Sequence, residues 1–212
     1  MKHCAIFAAG DLFTKPSIPE DSLVICADAG YNHAAKYGIK VDILVGDFDS
    51  LPNIPNNTQI IKYPAEKDYT DTELAVKIAL KEGCSSFTIY GSLGGERFEH
   101  TLANLQLAAG IAKCGYIITL TDCITIIEAL HNGTKFFNEN EKGYVSVFSG
   151  VGDAKGVSIK NLKYELCNVT LPCTGTLGVS NEFIGKKSSI EVKDGTLLII
   201  YRRKDGKDCN EA

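Results

Sequence analysis

Asp47 and Asp49 stand two residues apart where the apolar run of DILVGDFDS (42–50) ends, and they are the side chains best placed for chemistry. In an open parallel sheet, ligands bind outside the carboxyl ends of the strands. Asp28 ends an earlier apolar run in the same way, in CADAG, although a lone Asp there also serves simply to open a turn. A second acidic cluster, EKDYTD (66–71), carries Asp68 and Asp71 around a helix start, where a carboxylate also complements the helix dipole. If the two clusters are neighbours, four carboxylates converge. Two like charges about 4 Å apart repel by roughly 4 kcal/mol at an effective dielectric near 20. Several such pairs would rival the stability of a whole domain, about 5–15 kcal/mol. Such a cluster persists only if protonated, splayed apart or neutralised by a cation, and oxygen donors without His or Cys suit Mg²⁺. Mg²⁺ held by carboxylates commonly carries a polyphosphate on its remaining positions.

A third stretch, GSLGGERFEHTLAN (91–104), offers an anion site, because a Gly-rich loop runs into a helix start near Glu96. Gly91 and Ser92 open the loop. Arg97, His100 or Thr101, and Asn104 share the helix face away from Phe98 and Leu102, a stripe suited to phosphate oxygens or an adenine. The string is neither GxxxxGK[ST] nor GxGxxG, so a P-loop and a dinucleotide fingerprint are both excluded. The competing reading is a tight turn with a solvated polar face. TGTLGVSNEF (174–183) carries two glycines and small polar side chains, which fit the rim of an uncharged ring or an ordinary hairpin loop.

These motifs must be held by a scaffold. Short apolar runs at 3–9, 22–27, 43–46, 59–63, 86–90 and 116–120 are bounded by Gly, Pro or Asp and predict strands buried on both faces. Helical spacing covers 70–82, where Thr70 and Glu73 form a capping box and Gly83 stops the helix. It also covers 96–113, with Phe98, Leu102, Leu105 and Ala109 along one apolar face. Strand–helix alternation predicts an α/β domain, a mostly parallel sheet with helices on both faces, over 1–122. Beyond residue 123 only short strand patterns follow, at 124–129, 134–137, 144–148, 156–160, 189–193 and 196–201. Asn132-Gly133, Lys142-Gly143 and Asp194-Gly195 predict the turns between them. Residues 123–212 are therefore expected to form an all-β sandwich, with a charged, frayed tail from Arg203.

The set of motifs resembles the thiamine pyrophosphokinase family. ADAG (27–30), DILVGDFDS (42–50), KDYTDTELA (67–75), GSLGGERFEHTLAN (91–104) and GVSNEF (178–183) match in order and spacing over nearly the whole chain. The resemblance implies an α/β catalytic domain, a C-terminal sandwich and a homodimer whose site lies between one subunit's α/β domain and the other's sandwich. It places Asp47, Asp49, Asp68 and Asp71 at the Mg²⁺–polyphosphate region, as metal ligands and catalytic groups. Lys67, Arg97, His100 and Asn104 would contact ATP, with Asp28, Thr70, Gly91 and Ser92 completing the nucleotide set. Ser180 and Asn181 would lie by the pyrimidine ring of thiamine. The implied reaction moves the pyrophosphoryl group of ATP to the thiamine hydroxyl, with Asp71 or Asp49 accepting the proton. Two departures stand out: Glu99 replaces the Asp many members carry before the His of the third motif, and the chain has no Trp, which some relatives use near thiamine.

Composition bounds the alternatives. A net charge of -4 gives no electrostatic footprint for a nucleic acid. No apolar run is long enough to span a membrane, and the N-terminus reads as a strand rather than a signal peptide, so a cytoplasmic protein is expected. The eight cysteines include no CxxC pair and are expected to be reduced thiols. The rival functions are a pyrophosphokinase with a pterin-like acceptor, a non-catalytic nucleotide or thiamine binder, and a plain α/β protein whose aspartates are caps.

Overall fold

The structure is a computed structural model and describes residues 1–48, 58–64 and 66–202. Asp49 lies outside the described residues, as does the tail from Arg203. The chain falls into two compact units, one of residues 1–104 with 120–123, the other of 105–119 with 124–212.

The first unit is built on five parallel strands. β1 (His3–Phe7), β2 (Leu23–Ala27), β3 (Ile43–Gly46), β4 (Gln59–Lys62) and β5 (Ser86–Tyr90) lie in the order β5-β1-β2-β3-β4. A single 3-10 turn at Asp28–Gly30 leads into α1 (Tyr31–Lys36), which the apolar periodicity does not reveal because it is under two turns long. α2 (Asp71–Lys81) buries Leu74, Ala75, Val76, Ile78 and Ala79 and lies against β1, β2 and β3. The core joins Phe7, Cys26, Leu44 and Tyr90 to Ala34 of α1 and to Phe48. Phe7 stacks on Tyr90 with ring centroids 5.2 Å apart. β4 departs from expectation: it is the last strand of the order, and Ile60 on it is exposed, so an apolar run marked an edge rather than a buried strand.

α3 (Phe98–Lys113) and β6 (Ile117–Thr121) are each divided between the two units. The buried face of α3 runs through Asn104, Ala108, Ala109 and Ala112, while Phe98 is 75% and Leu102 49% exposed. The predicted apolar face was therefore the wrong one at the start of this helix. Small side chains allow close packing and mark the buried face, where the larger apolar ones do not.

In the second unit, β7 (Thr125–Phe137) and β12 (Ser188–Arg202) form a long antiparallel pair. On its other side β12 pairs first with β9 (Ala154–Lys160) and then with β8 (Tyr144–Ser149). β10 (Leu166–Leu171) pairs with β9, and the short β11 (Asn181–Glu182) with β8. Asn132-Gly133 and Asp194-Gly195 are not hairpin turns. They meet at a break in the β7–β12 register between Val192 and Thr196, where Asn132 takes φ +45° and its Oδ1 accepts the Gly195 N–H at 2.9 Å. This is a bulge, which lets one strand bend and exchange partners without ending. The core of this unit includes Phe137, Val145, Val157, Ile159, Ile190, Leu197 and Ile199. β10 carried no sequence signal, because Leu166, Val169 and Leu171 are its only large apolar residues.

The seven cysteines among the described residues form no disulfide. Burial pushes the Cys4 and Cys26 thiols well above their ordinary range, which favours the protonated form. Among the described residues no helix is long and apolar enough to cross a membrane.

Candidate functional site at the carboxyl ends of the parallel strands

The register of the parallel sheet fixes where the site lies. Phe7 stands opposite both Cys26 and Tyr90, and Cys26 opposite Leu44, so β1, β2, β3 and β5 finish at one edge. The residues that follow are Ala8–Asp11, Asp28, Gly46-Asp47 and Gly91-Ser92. Asp28 and Asp47 are half-buried there. Asp28 takes φ +46°, which Asp tolerates better than most residues. Gly46, at φ +153°, packs on it so closely that a Cβ would lie 3.1 Å from the Asp28 Cβ. Gly30 sits against the end of β1, where a Cβ would overlap the Phe7 carbonyl oxygen. The sequence reading of Asp28 and Asp47 as strand-end carboxylates is thus what the structure displays.

The second acidic cluster is arranged differently. The Lys67 ammonium lies 2.7 Å from Asp71 Oδ1, with both side chains partly buried. Thr70 is the N-cap of α2, its hydroxyl accepting the Glu73 N–H at 3.2 Å. Asp68 is exposed. Among the described residues no three His, Cys, Asp or Glu side chains gather in a metal-holding group.

The Gly-rich stretch forms a connected network. Gly91 (φ +64°), Gly94 (φ +67°) and Gly95 (φ +79°) adopt the left-handed conformation that glycine accepts without strain. The buried Ser92 hydroxyl donates to Ile89 O at 2.8 Å and accepts the Thr121 N–H at 3.0 Å. The Asn104 amide, 6% exposed, donates to Ser92 O at 2.8 Å. Ser92 and Asn104 therefore shape the loop from inside. Arg97 and Glu99 are exposed and joined at 2.8 Å, and that contact holds the Glu99 carboxyl below its usual range. His100 follows on the first turn of α3, half-buried.

Sequence reasoning passed over Ala9–Asp11. The backbone of Gly10 donates to Gly91 O and that of Asp11 to Leu93 O, each at 2.7 Å, tying this segment to the Gly-rich loop. The signal was weaker than at Asp28 and Asp47, because Ala8, Ala9 and Gly10 separate Asp11 from the end of β1.

In the second unit, Ser180 is exposed at φ +58°, its N–H donating to the Ser146 hydroxyl at 3.0 Å. Asn181 is 4% exposed, and its amide clamps the backbone of Tyr164: Nδ2 donates to Tyr164 O at 2.6 Å and Oδ1 accepts the Tyr164 N–H at 3.0 Å. Oδ1 also accepts the Glu182 N–H. The side chain thus builds the local backbone. Around it Tyr144, Tyr164, Leu177 and Ile184 are exposed.

Strand-end carboxylates beside a glycine loop recur in many nucleotide-dependent proteins, and comparison with known proteins narrows the choice. The family model of the thiamin pyrophosphokinase catalytic domain matches residues 15–120, and that of the thiamin pyrophosphokinase vitamin B1 binding domain matches 134–197. The chain belongs to the thiamine pyrophosphokinase family. A thiamine pyrophosphokinase of Bacillus subtilis (strain 168) is 31% identical over 212 residues, covering 94% of this chain and 98% of its own length. A crystal structure of thiamine pyrophosphokinase from Bacillus subtilis superposes with a TM-score of 0.84 at 28% identity, covering 96% of this chain and all of that one. A thiamin pyrophosphokinase family protein from Enterococcus faecalis does so with a TM-score of 0.80 at 29% identity, over 97% of this chain and all of that one. The chain's function is accordingly that of a thiamine pyrophosphokinase, a transferase of thiamine diphosphate biosynthesis. The catalytic-domain match spans Asp28, Asp47 and the glycine loop, and the vitamin-binding match spans Ser180 and Asn181.

Proposed function

We propose that the chain transfers the pyrophosphoryl group of ATP to the thiamine hydroxyl at the carboxyl edge of the parallel strands, with Mg²⁺ as cofactor. The single observation that carries this reading is the arrival of Asp28, Asp47 and the glycine loop at one edge. The donors there are carboxylate oxygens, which fit a hard cation such as Mg²⁺. Asp47, Asp49, Asp68 and Asp71 would hold it. When bound, the ion offsets negative charge that builds on the phosphate oxygens. Lys67, now neutralising Asp71, would turn its ammonium to a phosphate oxygen, and Arg97 would leave Glu99 in the same way. His100 would meet the nucleotide directly, while Ser92 and Asn104 act by holding the loop.

The residues' contribution is mainly positioning and electrostatics, as in other phosphoryl transfers. The thiamine hydroxyl attacks the β-phosphorus, its proton passes to Asp49 or Asp71, and AMP leaves. We read residues 1–122 as an α/β catalytic domain and residues 123–212 as a β-sandwich, a division by chain order that assigns 105–119 to the catalytic part although they pack with the second compact unit. Ser180 lies where thiamine would meet the sandwich, and Asn181 supports that rim through Tyr164. The exposed Phe98 and Leu102, and the apolar side chains around Ser180, support a homodimer in which a second copy covers them and completes the site. The enzyme would work in the cytoplasm.

Incubation with Mg-ATP and thiamine, with nucleotides and thiamine esters resolved chromatographically, tests the proposal. AMP and thiamine pyrophosphate are expected in equal amounts. ADP with thiamine monophosphate would refute attack at the β-phosphorus.

A further inference from the structure

Asp11 and His33 appear in none of the motifs above, yet Asp11 bonds the glycine loop and His33 bonds the Gly10 backbone that runs beside it. β1 does not stop bonding where its strand ends: Ala8 N–H donates to Tyr90 O, Gly10 N–H to Gly91 O and Asp11 N–H to Leu93 O. The backbone of residues 8–11 thus runs alongside the loop from Tyr90 to Leu93, and Asp11 and Leu93 form an isolated antiparallel bridge. Asp11 then adds its side chain, Oδ2 accepting the Gly95 N–H at 3.1 Å. The carboxylate fills the space beside Gly94, where a Cβ would overlap it. From the other side, the His33 ring on α1 bonds Gly10 O through Nε2 at 2.7 Å, and its ring lies 3.2 Å from where a Cβ on Gly91 would stand. Gly10 itself has no room for a side chain, since a Cβ would fall 2.5 Å from Leu93 O.

We infer that Asp11 and His33 are positioning residues for the nucleotide, acting as a clasp that fixes the conformation of the glycine loop without touching the reacting atoms. The physical case is entropic. Consecutive glycines leave a loop with more accessible backbone conformations than any other residues would, and an anion site made of loop amides works only when they point one way. Three contacts outside the loop remove that freedom before the ligand arrives, and pre-organisation of this kind appears as affinity. Asp11 also consumes the Gly95 N–H and sets a negative charge beside a polyphosphate, so its benefit must come from geometry and not from charge. That separates two variants. Asp11→Asn keeps an acceptor oxygen and removes the charge, whereas Asp11→Ala removes both.

The inference rests on the reading of the glycine loop as the nucleotide site. The test is steady-state kinetics of the whole enzyme, varying ATP and thiamine separately, on Asp11→Ala, Asp11→Asn, His33→Ala and Arg97→Ala, with melting temperatures alongside. Asp11→Ala is expected to raise the KM for ATP about tenfold and leave that for thiamine within about twofold, the signature of a lost ground-state interaction with one substrate. Asp11→Asn should restore the KM for ATP to within about twofold of the parent or lower it, and His33→Ala should raise it by roughly three- to fivefold. Asp11 is exposed, so the melting temperature should fall by only a few degrees. An unchanged KM for ATP in Asp11→Ala, with a raised one in Arg97→Ala, would overturn the clasp and leave the nucleotide site standing. A lowered KM in both Asp11 variants would also overturn it, by showing that only charge matters. An unchanged KM for ATP in Asp11→Ala and Arg97→Ala alike would remove the nucleotide reading of the loop and the clasp with it.

Discussion

The two units use the same kind of residue pair to opposite ends. At the edge of the parallel sheet, Gly46 closes a strand while packing on Asp28, and Asp47 follows it, half-buried. In the second unit, Asp194-Gly195 and Asn132-Gly133 lie inside strands of 15 and 13 residues, facing each other across a bulge. Glycine beside a short polar residue marks a departure from regular backbone in both places. Whether the strand ends there depends on its neighbours. β3 has parallel partners that finish at the same level, whereas β12 finds β8 waiting where β9 stops pairing. The lesson concerns turn signals: they locate irregularity, and the partner strands decide whether it becomes a site or a bend.

Substitutions can sharpen that contrast. The largest effect on stability is expected at Gly30, where any side chain would collide with the backbone end of β1 rather than with a yielding side chain. Gly30→Ala should cost about 3 kcal/mol or more in denaturant unfolding, at the upper end of overpacking effects. A cost below about 1 kcal/mol would show that the strand ends of the first unit yield as easily as a bulge does. Asn132→Ala removes the acceptor for the Gly195 N–H, a partly solvated bond, and is expected to cost about 1 kcal/mol. A cost as large as that of Gly30→Ala would mean that the bulge is the more tightly specified of the two.

The smallest effect is expected at His3, whose imidazole bonds the Ser22 hydroxyl at 2.9 Å and the Thr88 hydroxyl at 3.0 Å. Burial lowers its pKa below the ordinary value of 6.5. The unfolded chain therefore binds a proton before the folded one does, so stability falls as the pH drops through 6.5 toward the folded pKa. His3→Gln should flatten the dependence of melting temperature on pH below 6.5, and an unaltered slope would mean that other groups set it.

Most of the first six strands were legible because buried strands there read as short continuous apolar runs, and all six predicted runs appear within a residue or two of their bounds. The exceptions are physical. The run of β4 is apolar, yet it lies at an edge, because periodicity reports side chains and not neighbours. α3 buries alanines and an asparagine while exposing Phe98 and Leu102, so the predicted face was wrong at the start of the helix and right at Ala109. At the site, Asp28 and Asp47 were legible as strand-end carboxylates. Thr70 was legible as a helix cap, and it is one. Asn104 as a support for Ser92 O and Asn181 as a clamp on Tyr164 were not, because each depends on backbone atoms distant in sequence. The Asp11 contact to Gly95 spans 84 residues and left no local trace.

We propose that carboxylates at the ends of the parallel strands drive the transfer and contribute little to the fold. Turnover of Asp47→Asn at saturating Mg-ATP and thiamine, measured with its melting temperature, tests it most directly. A loss of at least about 100-fold in turnover is expected, the scale of removing one electrostatic contact to the transition state, with the melting temperature within a few degrees of the parent. Near-normal turnover would contradict it.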